Sequence, residues 1–333
     1  MKTKKYTLAI ATLLSAPAFA NTGVYDNSIT VLNINMLSDT FVSYTHNSKT
    51  LSELFSGKRI YGTMRRVDEY GDDGSTLKTS CVNGKTSDMF IKNIWMDVKH
   101  INGRTNYNHD LSARSRFNIF TLGATTDTIN LKYGNIYFGA FAGYINSDAA
   151  HINSYGDVGG IFAHYDFQNF GATIMTDIGS LNNNNGYTDF NNSWTNVAID
   201  MDAKFNIDKT LLIRPGLSIA YSFVSSDDLY MNNNIVWSDN FNFWNIAPSL
   251  QFVKEIMPDW YMGLSAKYVA QFGGDNDVHI ANVKRDGIDM DNYTDIGFDI
   301  EYNFKQFVFD GQLHKQMGGM EAWSGNINVK YMF

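Results

Sequence analysis

The sequence predicts an all-β protein, a twelve-stranded antiparallel transmembrane β-barrel. Three observations predict it. From residue 91 onward apolar and polar residues alternate in run after run, as strands with two unlike faces require. The connections between these runs switch between short and long, as in barrels that have one end with tight turns. Beyond the first twenty positions no run of about 18 apolar residues occurs, so no helix there can cross a bilayer. A closed barrel is the other structure that crosses lipid with every backbone N–H and C=O paired.

The chain has 333 residues and a formal net charge of −8. It opens with MKTKKYTLAIATLLSAPAFA. Lys2, Lys4 and Lys5 precede an apolar run from Leu8 to Leu14, and Ala18-Phe19-Ala20 closes the segment. This is the pattern of a secretory signal peptide, with cleavage expected between Ala20 and Asn21. Losing its three lysines takes the net charge from −8 to −11, which excludes a nucleic-acid partner. Cys81 is the single cysteine, so no internal disulfide forms.

The expected division is therefore 1–20 signal peptide, 21–90 N-terminal extension and 91–333 barrel. Strands are expected at 91–99, 115–127, 134–147, 155–166, 169–181, 193–206, 209–224, 241–254, 259–272, 292–304, 306–317 and 322–333. The last is the clearest, with Trp323, Ile327, Val329, Tyr331 and Phe333 on one parity and Ser324, Asn326, Asn328 and Lys330 on the other. The first two alternate poorly. Charges lie deep on the polar parity, such as Asp200, Asp202, Lys204, Asp299 and Glu301. A water-filled lumen tolerates them and a dry sandwich core does not. Trp194, Trp244, Trp260, Trp323, Tyr221, Tyr302 and Tyr331 fall near strand ends, where an interfacial girdle places aromatic rings.

Short connections are expected after strands four, six, eight and ten. Long polar ones are expected after one, five, seven and nine, such as Asn182–Asn192, Ser225–Asn240 and Gly273–Asp291. Both barrel ends then lie on the short-turn side. Pro215 and Pro248 fall inside strands on the outward parity, and each is expected to mark a bulge.

With these residues in view, the region 91–333 resembles the β-domain of autotransporters, the translocators of type V secretion. The similarity lies in Asn93-Ile94-Trp95-Met96, in Gly139-Ala140-Phe141-Ala142-Gly143-Tyr144 and in Gly159-Gly160-Ile161-Phe162-Ala163-His164-Tyr165. Arg214-Pro215-Gly216-Leu217-Ser218-Ile219-Ala220-Tyr221 and the terminal Val329-Lys330-Tyr331-Met332-Phe333 complete it. The resemblance implies a pore helix leading back to a passenger. Residues 28–56 are the candidate for this N-terminal lumenal α-helix, with Ser38, Phe41, Val42 and Tyr44, then Leu51, Glu53, Leu54 and Phe55, ended by Gly57, a flexible periplasmic or lumenal stub being the other reading. Residues 21–90 leave room for only a very short passenger. The terminal Val329, Tyr331 and Phe333 look like the signal read by barrel-assembly machinery.

Sites for chemistry are weak. His109 with Ser112, and His46 with Ser48, read as polar loop residues rather than a hydrolase pair. Asp227-Asp228 and Asp277–His279 lie in expected outer loops without the context of an omptin-like protease. Asp275, Asp277, Asp286, Asp289 and Asp291 match no calcium-loop spacing. His164 and His314 are expected to be hydrogen-bonded lumen-wall residues. The expected role is a translocator or surface-exposed barrel without enzymatic activity, cofactor or metal. The alternative is a general diffusion pore or, further off, an outer-membrane phospholipase or protease. Expected partners are outer-membrane lipid, lipopolysaccharide, the barrel-assembly machinery and periplasmic chaperones, with the protein itself a monomer.

Overall fold

The computed structural model describes residues 26, 29–32, 34, 37, 40, 51–54 and 91–333, except 107–111, 232–233, 239, 274–276, 281–282 and 286–290. Twelve long antiparallel strands follow one another around a closed wall. They are β1 (Ile91–Asn106), β2 (Ser112–Thr126), β3 (Gly134–Ala149), β4 (Ile152–Phe167), β5 (Phe170–Asn184) and β6 (Asp189–Ala203). The second half is β7 (Leu211–Ser226), β8 (Phe241–Met257), β9 (Trp260–Phe272), β10 (Tyr293–Phe304), β11 (Phe307–Gly318) and β12 (Met320–Met332). The seam closes where β1 pairs with β12, from Asn93↔Met332 to Thr105↔Met320. No long strand is left with an open edge.

All twelve expected strands are present. The first two blurred in sequence because their inward face is apolar too. Trp95, Ile101, Phe117 and Ile119 are buried in the lumen, while Ile94, Met96, Val98, Phe120 and Leu122 face outward and are exposed. Elsewhere, Trp194 apart, the parity follows expectation. Ile327, Ile300 and Leu264 are 66%, 37% and 51% exposed on the outer wall, as side chains that lipid must solvate. Asp200, Asp202, Asp299 and Glu301 are buried inside.

Both chain ends of the barrel, Ile91 and Met332, share the end with the turns that follow even-numbered strands. At the opposite end β5 runs on to Asn184 and β6 already begins at Asp189, so Asn182–Asn192 is mostly strand rather than the expected long loop. The two long connections there build a separate four-stranded sheet from Leu229–Met231, Asn234–Ser238, Val278–Ile280 and Val283–Arg285. Val236 and Val278 of this sheet pack on Ile152 and Phe190 at the barrel rim.

The prolines do not make bulges. The β6–β7 pairing is in register at Asp202↔Gly216 and again at Phe205↔Ile213, and it skips only the rungs around Pro215. The β8–β9 pairing likewise skips the rungs between Ile246↔Ala270 and Ser249↔Lys267, around Pro248. Between the two prolines the β7–β8 ladder continues unbroken through Pro248↔Leu217 and Leu250↔Pro215. In an antiparallel strand a residue's N–H and C=O point to the same neighbour. Each proline therefore turns its missing donor away from the shared ladder and interrupts the other ladder locally, without a register shift.

Candidate functional site in the barrel lumen

The barrel is threaded by its own N-terminal segment. Asp26, Ile29, Thr30, Val31, Leu32, Ile34, Leu37 and Thr40 are helical, and all except the half-buried Ile29 are buried. The Thr30 hydroxyl donates to the Asp26 carbonyl at 3.3 Å, one helical turn back. Ser52–Leu54 forms a separate 3-10 turn. The helix thus begins before the expected 28–56, and its buried apolar residues among those described are Val31, Leu32, Ile34 and Leu37. Leu51 and Leu54 belong to the separate turn. Ser38, Phe41, Val42, Tyr44, Phe55 and Gly57 lie outside the described residues.

The segment has a direction. At the long-loop end the Asp26 carboxylate accepts from Asn185 Nδ2 at 2.8 Å and lies 3.2 Å from His151 Nε2. Ile29 packs under the loop sheet with Val236 and Val278. At the short-turn end Glu301 of β10 accepts the Ser52 hydroxyl at 2.8 Å and the Ser52 N–H at 3.3 Å. It also accepts the Leu51 N–H. Glu53 pairs with Lys92 of β1 at 3.1 Å. Leu51 and Leu54 fill a small cluster with Leu212, Val253 and Tyr261.

Between these anchors the helix packs against an apolar stretch of lumen wall. Val31, Leu32, Ile34 and Leu37 share one buried cluster with Trp95, Phe117, Phe141 and Phe162. The rings lie over glycines of the next strand. A Cβ on Gly123 would come 2.1 Å from Trp95, one on Gly139 2.1 Å from Phe162, and one on Gly179 2.1 Å from Trp194. Glycine is needed because a ring lying along the wall occupies the space of a neighbouring side chain. The glycine-aromatic runs legible in the sequence are this tiling. Trp194 is buried and donates to Asp177 at 3.0 Å, so it belongs to the lumen and not to the expected girdle. Trp260 and Tyr302 do stack on the outer wall at 4.5 Å, and Tyr221 lies 4.8 Å from Trp244.

The rest of the lumen is a polar network. Arg214 Nη2 donates to Asp202 at 3.1 Å, and Gln251 bridges Arg214 and Asp299. Lys204 and His164 both reach Asp166, at 3.0 and 3.2 Å. His314 Nδ1 lies 2.7 Å from Asp295, whose other oxygen accepts from Gln316. His164 and His314 are thus wall residues with fixed partners. A cavity of about 50 Å³ remains between Leu37 and this wall, lined by Lys99, Lys267, Asp295 and His314.

The terminal residues lie at the seam. Phe333 N–H donates to the Lys92 carbonyl at 2.9 Å. Its ring meets Tyr331 at 4.9 Å, and Tyr331 meets Phe307 at 5.1 Å. Val329 sits on the same outward parity, opposite Met96 and Phe309. Ala20 and Asn21 lie outside the described residues, as do His46, Ser48, His109, Asp275, Asp286 and Asp289. Asp227 accepts from Asn191 at 3.0 Å and Asp277 pairs with Lys284. Among the described residues no group of three or more His, Cys, Asp or Glu is placed to hold a metal ion.

An apolar, aromatic-ringed outer wall around a polar lumen that carries its own N-terminal segment defines a self-occupied transmembrane β-barrel. More narrowly, the fold is that of autotransporter translocator domains. The transport unit of the autotransporter AIDA-I from Escherichia coli superposes with a TM-score of 0.65 at 16% identity, covering 76% of this chain and 92% of that one. The β-domain of the Bordetella autotransporter BrkA gives 0.60 at 12% identity, covering 74% and 100%. The translocator domain of NalP from Neisseria meningitidis gives 0.58 at 10%, covering 74% and 90%. No protein-family model matches the sequence, and no curated protein matches it.

Proposed function

We propose that the protein is an outer-membrane barrel of autotransporter type, whose N-terminal segment lies in the pore with its leading end toward the cell surface. In this reading residues 1–20 are removed on export, 21–90 form a short extension and 91–333 form the barrel. The role is that of a translocator or surface barrel without enzymatic activity. Assembly would use the barrel-assembly machinery and periplasmic chaperones, with lipid and lipopolysaccharide around the finished wall.

One observation carries the reading. Asp26 is held at the long-loop end while Ser52 is held at the short-turn end. Short turns face the periplasm in barrels of this kind. The segment therefore runs from the surface inward, the path a chain follows when its N-terminal part has crossed the pore it now occupies.

An epitope placed after Asn21 tests this in intact cells. Protease removal of the epitope from outside is the expected result. Epitope protected until the outer membrane is opened would overturn the reading and favour a diffusion pore.

A further inference from the structure

Among the described residues, the long-loop half of the outer wall carries one basic patch, placed where the lipid-facing stripe ends. On β1 the outward residues run Ile94, Met96, Val98 and then His100, Asn102, Arg104. On β2 the same change, read toward the long-loop end, goes from Leu122 and Phe120 to Asn118, Arg116 and Arg114. The two runs are paired, with Asn102↔Arg116 and Arg104↔Arg114. Across the seam Asn102 pairs with Trp323, and Trp323 pairs with Lys315. The Lys315 ammonium sits 5.1 Å over the Trp323 ring.

Among the described residues, the outward lysines and arginines of barrel strands on the long-loop half are these four: Arg104, Arg114, Arg116 and Lys315. Two carboxylates adjoin them, Glu321 opposite Arg104 and Asp148 opposite Arg116. No ion pair joins either to its arginine among the described residues. The patch keeps an excess of positive charge. On β5 and β6 the corresponding outward positions are Ser180, Asn182, Asn184, Asp189, Asn191 and Ser193, with no cation.

Arg116 lies level with Trp323 through Asn102, and Arg104 and Arg114 lie one side-chain row beyond it. Guanidinium groups held there on a rigid wall meet the headgroup layer of the leaflet beside them. Arginine's planar fork matches phosphate oxygens two at a time, and Trp323 marks the interface depth. We propose that Arg104, Arg114, Arg116 and Lys315 form a binding surface for the phosphate groups of a phosphorylated glycolipid in the outer leaflet. This rests on the membrane reading and its orientation. It goes further in assigning one face of the barrel to one class of lipid.

The test uses the full mature chain folded in neutral detergent and titrated with bis-phosphorylated lipid A, with phosphate-free lipid A and with phosphatidylglycerol. Binding is read by native mass spectrometry. The bis-phosphorylated lipid should bind best. The combined variant R104Q/R114Q/R116Q/K315Q should bind it at least about tenfold more weakly, while keeping the heat-modifiable gel mobility of a closed barrel. A second variant, K209Q/K254Q/K305Q on the short-turn rim, should bind like wild type. Equal binding of all three lipids, or equal loss in both variants, overturns the proposal. A chain that stays soluble and monomeric without detergent overturns the membrane reading instead. A detergent-dependent barrel that fails to discriminate these lipids overturns only the lipid surface.

Discussion

Glu301 of β10 accepts both the hydroxyl and the main-chain N–H of Ser52, at 2.8 and 3.3 Å, and so fastens the lumen segment to the wall 249 residues away. A hydrogen bond to a buried carboxylate contributes roughly 1.5–3 kcal/mol. Glu301→Ala should therefore raise the population with an undocked segment about tenfold or more. Single-channel recordings in planar bilayers should show longer and more frequent openings than wild type. Deleting residues 21–75 should give a permanently larger conductance. Currents unchanged in both would refute the plug.

The tiling of rings over glycines is rigid, because backbone and indole both resist displacement. A Cβ on Gly179 would sit 2.1 Å from Trp194, whose N–H is tied to Asp177 at 3.0 Å. Gly179→Val should destabilise the barrel by about 1–3 kcal/mol, the usual cost of overpacking. Gly159→Val is the matched control, since the nearest atom there lies 3.7 Å away. Urea unfolding in lipid vesicles should separate the two variants; coincident midpoints would count against the packing account.

Phe333 adds a rung beyond β12 by donating to the Lys92 carbonyl at 2.9 Å, and it continues an aromatic row through Tyr331. Its deletion should slow closure and leave more chain in the unfolded, heat-insensitive gel band. The same effect is expected in cells as lower barrel yield. Normal amounts of heat-modifiable protein would remove Phe333 from the assembly signal.

The turn between β6 and β7 carries a pH dependence of its own. Asp208 Oδ1 accepts the Thr210 N–H at 2.6 Å, the Thr210 hydroxyl at 2.9 Å and the Leu211 N–H at 2.9 Å. These bonds, the Thr210 N–H first, hold its carboxyl below the ordinary aspartate range. A group with a lowered native pKa contributes order above its unfolded value near pH 4 and loses it as pH falls through the native value. Amide exchange at Thr210 and Leu211, corrected for intrinsic rates, should therefore be protected at pH 6 and accelerate on acidification below about pH 4. Asp208→Asn should flatten that dependence.

Much of the wall was legible because alternation is a local property. Ile296, Phe298 and Ile300 against Asp295, Asp299 and Glu301 need no knowledge of distant residues to declare two faces. Trp194 shows where this fails. Its neighbours Ser193 and Thr195 are no more apolar than Asn192 and Asn196, so only β5 decides its side, by placing Gly179 beneath the ring and Asp177 beside the indole N–H. The apolar residues of the pore helix, Val31, Leu32, Ile34 and Leu37, did not stand out in the sequence for a related reason. Val31-Leu32-Asn33-Ile34-Asn35-Met36-Leu37 reads as poorly periodic. A helix in a lumen with a polar side and an apolar side does not need the broad apolar stripe of a surface helix.

The sequence by itself determined the strand count, the lipid-facing parity and the end at which the barrel's two termini meet, since each follows from period-two patterning and connection length. Only the tertiary structure decided what fills the barrel and which way it points. Asp26 meets Asn185, and Ser52 meets Glu301, across separations of 159 and 249 residues. Such contacts exist only once closure brings distant strands around a shared interior, and no local pattern encodes them.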